Sequence, residues 1–289
     1  MGYLIGKLTD WVKDMLVGGI MSNLSGLFNG VNDKVSEVSG MVGASPQAWN
    51  GQIFNMVKNL SENVIVPIAG VILTFVMTYE LIQMVIDKNS FHDFETFTIF
   101  KWIFKTFCAV LLVTNTWNII MGVFEMAQTV VNRSAGLIAA ETDMDIMNVI
   151  RNIETRLRAM DVGPLLGLWF QTLLVSILSW ILSICVFIIV YGRMLEVYLL
   201  ASLGPIPLAT MANREWGSMG QNYIRSLLAI AFQAFLIIVC VAIYAILIHT
   251  ISAESDIITA IWTCIGYTVL LCFSLFKTSS LSKAVFSAH

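Results

Sequence analysis

The chain has 289 residues, a formal net charge of −3, 57% hydrophobic residues and only 12% charged ones. A soluble domain usually carries about 25% charged residues, so the composition excludes a water-faced enzyme fold and points to an integral membrane protein. No basic run or tail supplies a static nucleic-acid footprint; Cys108, Cys185, Cys240, Cys264 and Cys272 lie in apolar runs without a CxxC pair and read as core residues rather than disulfides or metal ligands.

Residues 1–64 do not carry a spanning pattern. The start, MGYLIGKLTDWVKDML, lacks the basic stretch, apolar core and small-residue cleavage site of a signal peptide, and Gly6 breaks the myristoylation pattern. Leu4, Ile5, Leu8, Trp11, Val12, Met15, Leu16 and Ile20 recur at helical spacing, with Lys7, Asp10, Lys13 and Asp14 on the other side. This predicts an amphipathic helix in the membrane interface or against a partner. Gly, Asn and Ser then dominate to Pro46 and predict a mobile connector, followed by a second amphipathic piece over Gln47–Ser61.

Six stretches satisfy the ~20 mostly apolar residues that a spanning helix needs. They are Ile65–Ile86, Trp102–Phe124, Leu165–Val190, Met194–Met211, Leu227–Ile248 and Ile257–Phe276. The fourth is the weakest, being short and holding Gly204, Pro205 and Pro207. Leu165–Met211 would run to about 70 Å as one helix, roughly twice a bilayer core. A hairpin is therefore expected at Tyr191-Gly192-Arg193. Ahead of the second stretch, Phe91, Phe94, Phe97, Phe100, Phe104 and Phe107 fall on one helical face, which fits an interfacial helix or a subunit contact. Between the second and third stretches lies a polar insert, residues 125–164. Thr142 with Asp145 resembles a capping box there. Met147, Ile150, Ile153, Leu157 and Met160 form an apolar stripe opposite Arg151, Glu154 and Arg158, and Gly163-Pro164 is expected to end the helix. Such a helix suits a cap on the bundle or a partner-binding face.

The expected fold is thus all-α and polytopic, with about six transmembrane helices. Its segments are an amphipathic region over 1–64, two spans over 65–124, the insert over 125–164, a four-helix core over 165–276 with a broken fourth helix, and a tail over 277–289. Of the 16 Lys and Arg, twelve fall on the side of the N-terminal region, the insert, the loop Ala212–Ser226 and the tail. Lys88, Lys101, Lys105 and Arg193 fall on the other, so the positive-inside rule places both termini in the cytoplasm.

No P-loop, dinucleotide fingerprint or zinc spacing is present, so no cofactor and no catalytic residue is expected. His92, His249 and His289 are scattered, and the sequons at Asn23, Asn59 and Asn132 read as chance matches. The informative residues are charges within apolar segments, which in lipid face a bundle interior or water. Glu80 lies deep in the first span or near its far end, and Lys105 can snorkel from its span end. Arg193 and Glu196 are three apart on one helix face and can pair with each other or across helices, locking the bundle or lining a passage. Pro205 and Pro207 lack the N–H that would bond the carbonyls of Ala201 and Leu203. In lipid those carbonyls must find other partners, so Gly204, Pro205 and Pro207 mark a helix break or hinge against a second chain or a hydrated cavity, or a simple kink.

These features together resemble the TrbL-type polytopic inner-membrane channel subunit of type IV secretion and conjugal transfer systems. The resembling residues are Arg193 and Glu196, then Leu203-Gly204-Pro205, then Asn213-Arg214-Glu215-Trp216, with two further apolar stretches following. The likeness covers Leu165–Phe276, and the rest by layout; the short tail is like the forms carried by conjugative elements of Gram-positive bacteria. The resemblance implies a non-catalytic role in moving DNA and protein across the bacterial cytoplasmic membrane. It implies partner secretion subunits and their ATPases, a homo-oligomeric ring, membrane lipids around it and a transient DNA or nucleoprotein substrate. It also implies a loop role for Arg214 and Trp216. One departure is that relatives in Gram-negative bacteria usually hold the central insert outside, whereas the charge count here places it inside. A small-solute transporter or permease, which the broken helix would suit, and a non-conducting membrane scaffold are the alternatives.

Overall fold

A computed structural model describes residues 2–87, 96–142, 146–251 and 256–288. Every element in these segments is helical, and no strand occurs among the described residues. In chain order they are α1 (Gly2–Val42), α2 (Pro46–Trp49), α3 (Gly51–Leu60), a π-helical turn (Ser61–Ile65), α4 (Val66–Asp87), α5 (Thr96–Thr114) and α6 (Thr116–Thr142). Then come α7 (Ile146–Ala159), α8 (Val162–Leu203), α9 (Pro205–Thr210), α10 (Gly217–Ile251) and α11 (Ile257–Val285). Among the described residues five helical segments are long and apolar enough to cross a membrane: Gly51–Ile86, Phe97–Thr114, Val162–Leu203, Gly217–Ile248 and Ile257–Val285.

Four sequence expectations need correction. The expected hairpin at Tyr191-Gly192-Arg193 does not form; these residues are helical within α8. A lone Gly costs a helix only about 1 kcal/mol, whereas a turn in lipid would strip several backbone groups of their partners. The expected connector before Pro46 is instead part of α1, which continues to Val42. Leu16, Val17, Ile20, Leu24, Val38 and Val42 are buried along it, and a buried Leu or Val is worth about 1.5–3 kcal/mol, enough to offset the glycines. Gly163-Pro164 does not close α7 but sits in the first turn of α8, where a missing N–H costs nothing. Finally, Trp102–Phe124 is not one regular helix, because α5 and α6 meet at Asn115.

The chain divides into two compact units, each built from three separated stretches. One holds Met1–Val42, Val131–Val190 and Phe235–Thr278. In it the amphipathic α7 packs against α1, with Leu157 fully buried. Arg158 Nη1 donates to Asp14 Oδ1 at 2.9 Å and its Nε to Glu154 Oε1 at 3.0 Å. These carboxylates hold the Arg158 guanidinium above its ordinary pKa, through hydrogen bonds to Glu154 and then Asp14. The insert helix therefore caps its own chain. Asn23 donates to Thr172 Oγ1 at 3.2 Å, and the Tyr244 and Thr268 hydroxyls lie 3.1 Å apart. Asp145 of the expected capping box lies outside the described residues, as do Phe91 and Phe94.

The other unit holds Gly43–Val130, Tyr191–Ala234 and Ser279–His289. Ser45 and Asn50 cap α2 and α3 by accepting from Ala48 N–H and from Gln52 and Ile53 N–H. One core joins Phe54, Trp117, Ile120, Val197, Tyr198, Leu208, Tyr223 and Leu227. A second is made largely of small residues: Ala69, Ala109, Ala209 and Ala212 with Leu73, Val76, Met77 and Val113. Small side chains let the short α9 lie close to both α4 and α5. Phe97, Phe100, Phe104 and Phe107 of the phenylalanine stripe are all exposed.

Candidate functional site: a helix break and a polar clamp

The site begins where α8 stops at Leu203 and α9 starts at Pro205. Pro205 cannot donate to the Ala201 carbonyl. That carbonyl instead accepts from the buried hydroxyl of Ser61 at 3.5 Å. Ser61 opens the π-helical turn, a single-turn irregularity of the kind that often marks functional positions. One residue earlier, the Leu200 carbonyl accepts from the Tyr223 hydroxyl at 2.9 Å. Thr210 Oγ1 donates to the Pro207 carbonyl at 2.8 Å. The Ala201 carbonyl orphaned by Pro205 is therefore met from the π-helical turn between α3 and α4, and its neighbour at Leu200 is held from α10.

Space at the break is as restricted as its hydrogen bonding. A Cβ on Gly204 would stand 2.5 Å from Ile120 Cδ1, 2.6 Å from the Tyr223 hydroxyl and 3.0 Å from Thr116 Cγ2. A Cβ on Gly220 would collide with the Met211 side chain and come 2.5 Å from the Pro207 carbonyl oxygen. Glycine at both positions is what allows α6 and α10 to close on the break.

Beyond α9 the chain turns through Asn213-Arg214-Glu215-Trp216 and docks on the C-terminal half of α4. Asn213 Oδ1 accepts from the Glu215 N–H at 2.8 Å and the Trp216 N–H at 3.3 Å, which shapes the turn. Its amide nitrogen donates to Glu80 Oε2 at 2.7 Å. The other oxygen of Glu80 takes the Lys105 ammonium at 2.6 Å. Glu215 accepts from Gln83 at 2.8 Å and from the Tyr79 hydroxyl at 3.3 Å. Trp216 stacks on Phe75 and Tyr79 at centroid distances of 5.6 and 6.2 Å. The result is a polar clamp joining α4, α5 and the loop after α9, with Glu80 16% exposed at its centre.

The expected partners Arg193 and Glu196 are not brought together. Arg193 is buried, donating through Nε to the Ile230 carbonyl at 3.1 Å, with Nη1 3.9 Å from Met194 Sδ. Glu196 is exposed, and no ion pair joins the two among the described residues. Residues three apart stand about 60° from each other around a helix, and here that offset puts Arg193 inside the packed edge and Glu196 just outside it. Glu80, Trp216 and the Gly204–Pro207 break are brought into one continuous region, while Arg214 is exposed beside it. Ser61, Tyr223, Lys105 and Asn213 complete it. Sequence pattern marked none of these four as partners, although the serine and asparagine beside apolar runs were a usable signal.

The hairpin expectation put the loop Ala212–Ser226 opposite the far end of the first span. Asn213 and Glu215 instead touch Glu80 and Gln83, in the last two turns of α4.

Comparison with curated proteins and with solved structures finds no match. A family model, by contrast, matches residues 31–205, which takes in Glu80, Arg193, Glu196, Gly204 and Pro205 and stops short of the clamp loop. With more than half of its length matched, and with the buried arginine and broken helix within the match, the chain belongs to the family described as TrbL/VirB6 plasmid conjugal transfer like protein.

Proposed function

We propose that this component of a conjugal transfer machine is a channel or scaffold subunit in the bacterial cytoplasmic membrane, and that it helps DNA and protein cross without catalysing a reaction. Family membership supports the conjugal role. The observation that carries the rest is the helix break at Gly204–Pro207, held by three other helices and continuous with the Glu80 clamp. A break whose Ala201 and Leu200 carbonyls are served by residues far away in sequence is a joint between packed parts rather than a loose end. Energy for transport comes from partner ATPases, and the exposed apolar faces of α1 (Leu4, Leu8, Trp11, Met15) and α5 are surfaces for lipid, neighbouring copies or other secretion subunits. DNA contact is transient, because 16 Lys and Arg against 19 Asp and Glu leave no basic surplus to release many counterions.

We also propose an arrangement across the membrane that differs from the one the charge count gives. With α8 as a single crossing, Arg214, Arg225, Lys277 and Lys283 join Lys88, Lys101 and Lys105 on one side. Lys7, Lys13, Lys34, Lys58 and the insert arginines share the other. The imbalance that placed both termini in the cytoplasm then disappears, and we place the N-terminal region and the tail on opposite faces. Cysteines introduced singly into a cysteine-free chain at Arg214 and at Asn89 should label with an impermeant maleimide from the same side. Labelling from opposite sides would restore the hairpin.

The function itself is tested in a donor cell lacking this protein. Conjugation frequency should return with the parent chain and not with Glu80→Leu at equal membrane abundance, and DNA in transit should crosslink to the parent chain. Normal conjugation without the protein would end the conjugal reading. Restored transfer without any DNA crosslink would favour the non-conducting scaffold.

A further inference from the structure

We infer that the groove between α4 and α5 is a binding site for one acyl chain of an anionic membrane phospholipid, with its phosphate at Lys101. The groove encloses about 400 Å3 and is bounded by Val66, Gly70, Thr74 and Thr78 on one wall and by Trp102, Thr106 and Thr114 on the other. Both walls belong to helices long and apolar enough to cross a membrane, so the slot suits a lipid chain or an apolar helix of a second subunit. Its hydroxyls are already used within their own helices. Thr74 donates to the Gly70 carbonyl at 2.9 Å, Thr78 to Thr74 at 2.8 Å, Thr106 to Trp102 at 2.8 Å and Thr114 to Val110 at 2.9 Å. With their donors spent they offer methyl groups and acceptor lone pairs only, so a phosphate or another acceptor has no partner inside the slot.

Dimensions decide between an acyl chain and a helix from another subunit. Val66 to Thr78 and Trp102 to Thr114 each span twelve helical steps, about 18 Å. That is close to one leaflet, half of a ~30 Å hydrocarbon core. Spread over that length, and with the radius of a water molecule added on each side, the volume gives a slot roughly 8 Å across, narrower than a helix with its side chains at ~10–12 Å. The slot is therefore too narrow for a helix and wide enough for a hydrocarbon chain. Charge sets the direction of the lipid. Trp102 closes one end, its indole N–H donating to the Met77 carbonyl at 3.1 Å. One residue before it, the Lys101 ammonium is exposed and rests 4.5 Å over the Phe97 ring, while Lys105 is already taken by Glu80. A tryptophan and a free-facing lysine at the same end of a span are the usual furniture of the headgroup region.

The inference needs α4 and α5 to be membrane helices but not the transport role, so its test leaves conjugation aside. The full chain is reconstituted in vesicles of phosphatidylethanolamine and phosphatidylglycerol containing a phosphatidylglycerol with a diazirine on its acyl chain. Adducts are mapped by mass spectrometry. We expect adducts at the groove residues at least tenfold above those at the outward Phe100 and Phe104. Gly70→Trp should remove them, since a side chain there meets open space; Thr74→Phe serves the same end if the first variant folds poorly. Lys101→Gln should keep the groove adducts but abolish the preference for phosphatidylglycerol over a phosphatidylcholine probe. Adducts spread evenly over the outward faces and indifferent to Gly70→Trp would overturn the site. So would efficient disulfide formation between Thr74→Cys copies with the groove unlabelled, which would assign the slot to a second chain. An unchanged headgroup preference in Lys101→Gln would overturn the assignment of the phosphate.

Discussion

Two helix breaks in the same unit are mended in opposite ways. Where α5 meets α6, the repair is local. Thr114 donates to the Val110 carbonyl at 2.9 Å, Asn115 to Leu111 at 3.0 Å, and Thr116 to Leu112 and Val113 at 3.0 and 2.9 Å. All the donors sit within four residues of their acceptors. Where α8 meets α9, the carbonyls of Ala201 and Leu200 rely on Ser61 and Tyr223, far away in sequence. A locally mended break bends one helix and concerns nobody else. A break mended at long range ties three helices together, so it can transmit a movement or fail as a unit.

The largest expected effect is at Gly204. Gly204→Val puts branched carbons where Ile120 and Tyr223 already stand. Overpacking of this kind costs about 1–3 kcal/mol, and membrane abundance and the detergent Tm should both fall. The milder Gly204→Ala should be partly rescued by Tyr223→Phe, which removes one of the two closest clashing atoms. Simple additivity in that cycle would mean that the two do not meet.

Next comes Pro205→Ala combined with Pro207→Ala. The two restored N–H groups let α8 run on as a regular helix and compete with Ser61 for the Ala201 carbonyl. Insertion should be normal while conjugation frequency falls by an order of magnitude or more. Normal transfer at normal abundance would reduce the prolines to packing details.

Ser61→Ala is the gentler form of the same experiment. It removes one long hydrogen bond at a buried carbonyl, and a net loss of about 1 kcal/mol is expected. Asn115→Ala should cost less than half of that, because Thr114 and Thr116 still serve neighbouring carbonyls. Equal losses of detergent Tm in the two variants would erase the contrast between distant and local repair.

The smallest effect concerns a purely local cap outside the spans. Asp256 accepts from the Thr259 hydroxyl at 2.6 Å and the Thr259 N–H at 3.1 Å. These bonds, the hydroxyl first, hold its carboxyl below the usual carboxylate range. A depressed folded pKa contributes stability that is present above the ordinary value of ~3.9 and lost as pH falls through the folded one. The difference between the parent and Asp256→Ala in hydrogen exchange at the first turn of α11 should therefore be visible at pH 7 and vanish near pH 2. A difference that persisted in acid would mean that the carboxylate is not the cap.

Much of the fold was legible because lipid imposes a strong rule: apolar length without charge makes a helix. The apolar stretches, the amphipathic faces of α1 and α7 and the break at Pro205 all follow from residue type and local spacing. The hairpin at Tyr191-Gly192-Arg193 was misread for the same reason. Length suggested a turn, and nothing local shows that the Ile230 carbonyl waits for Arg193 inside the core.

By itself the sequence determined an all-α membrane chain, an arginine within an apolar helix, a carboxylate in the first span and a proline break short of the last two spans. Proline chemistry and the cost of charge in lipid act at the residue that carries them, so they can be read in order along the chain. Only the tertiary structure decided that Glu80 meets Lys105 and Asn213, that Arg193 turns from Glu196 to the Ile230 carbonyl, and that Ser61 serves the break. Each of those contacts joins residues far apart in sequence, and which distant donor reaches which acceptor depends on how the helices pack, a quantity that no local pattern contains.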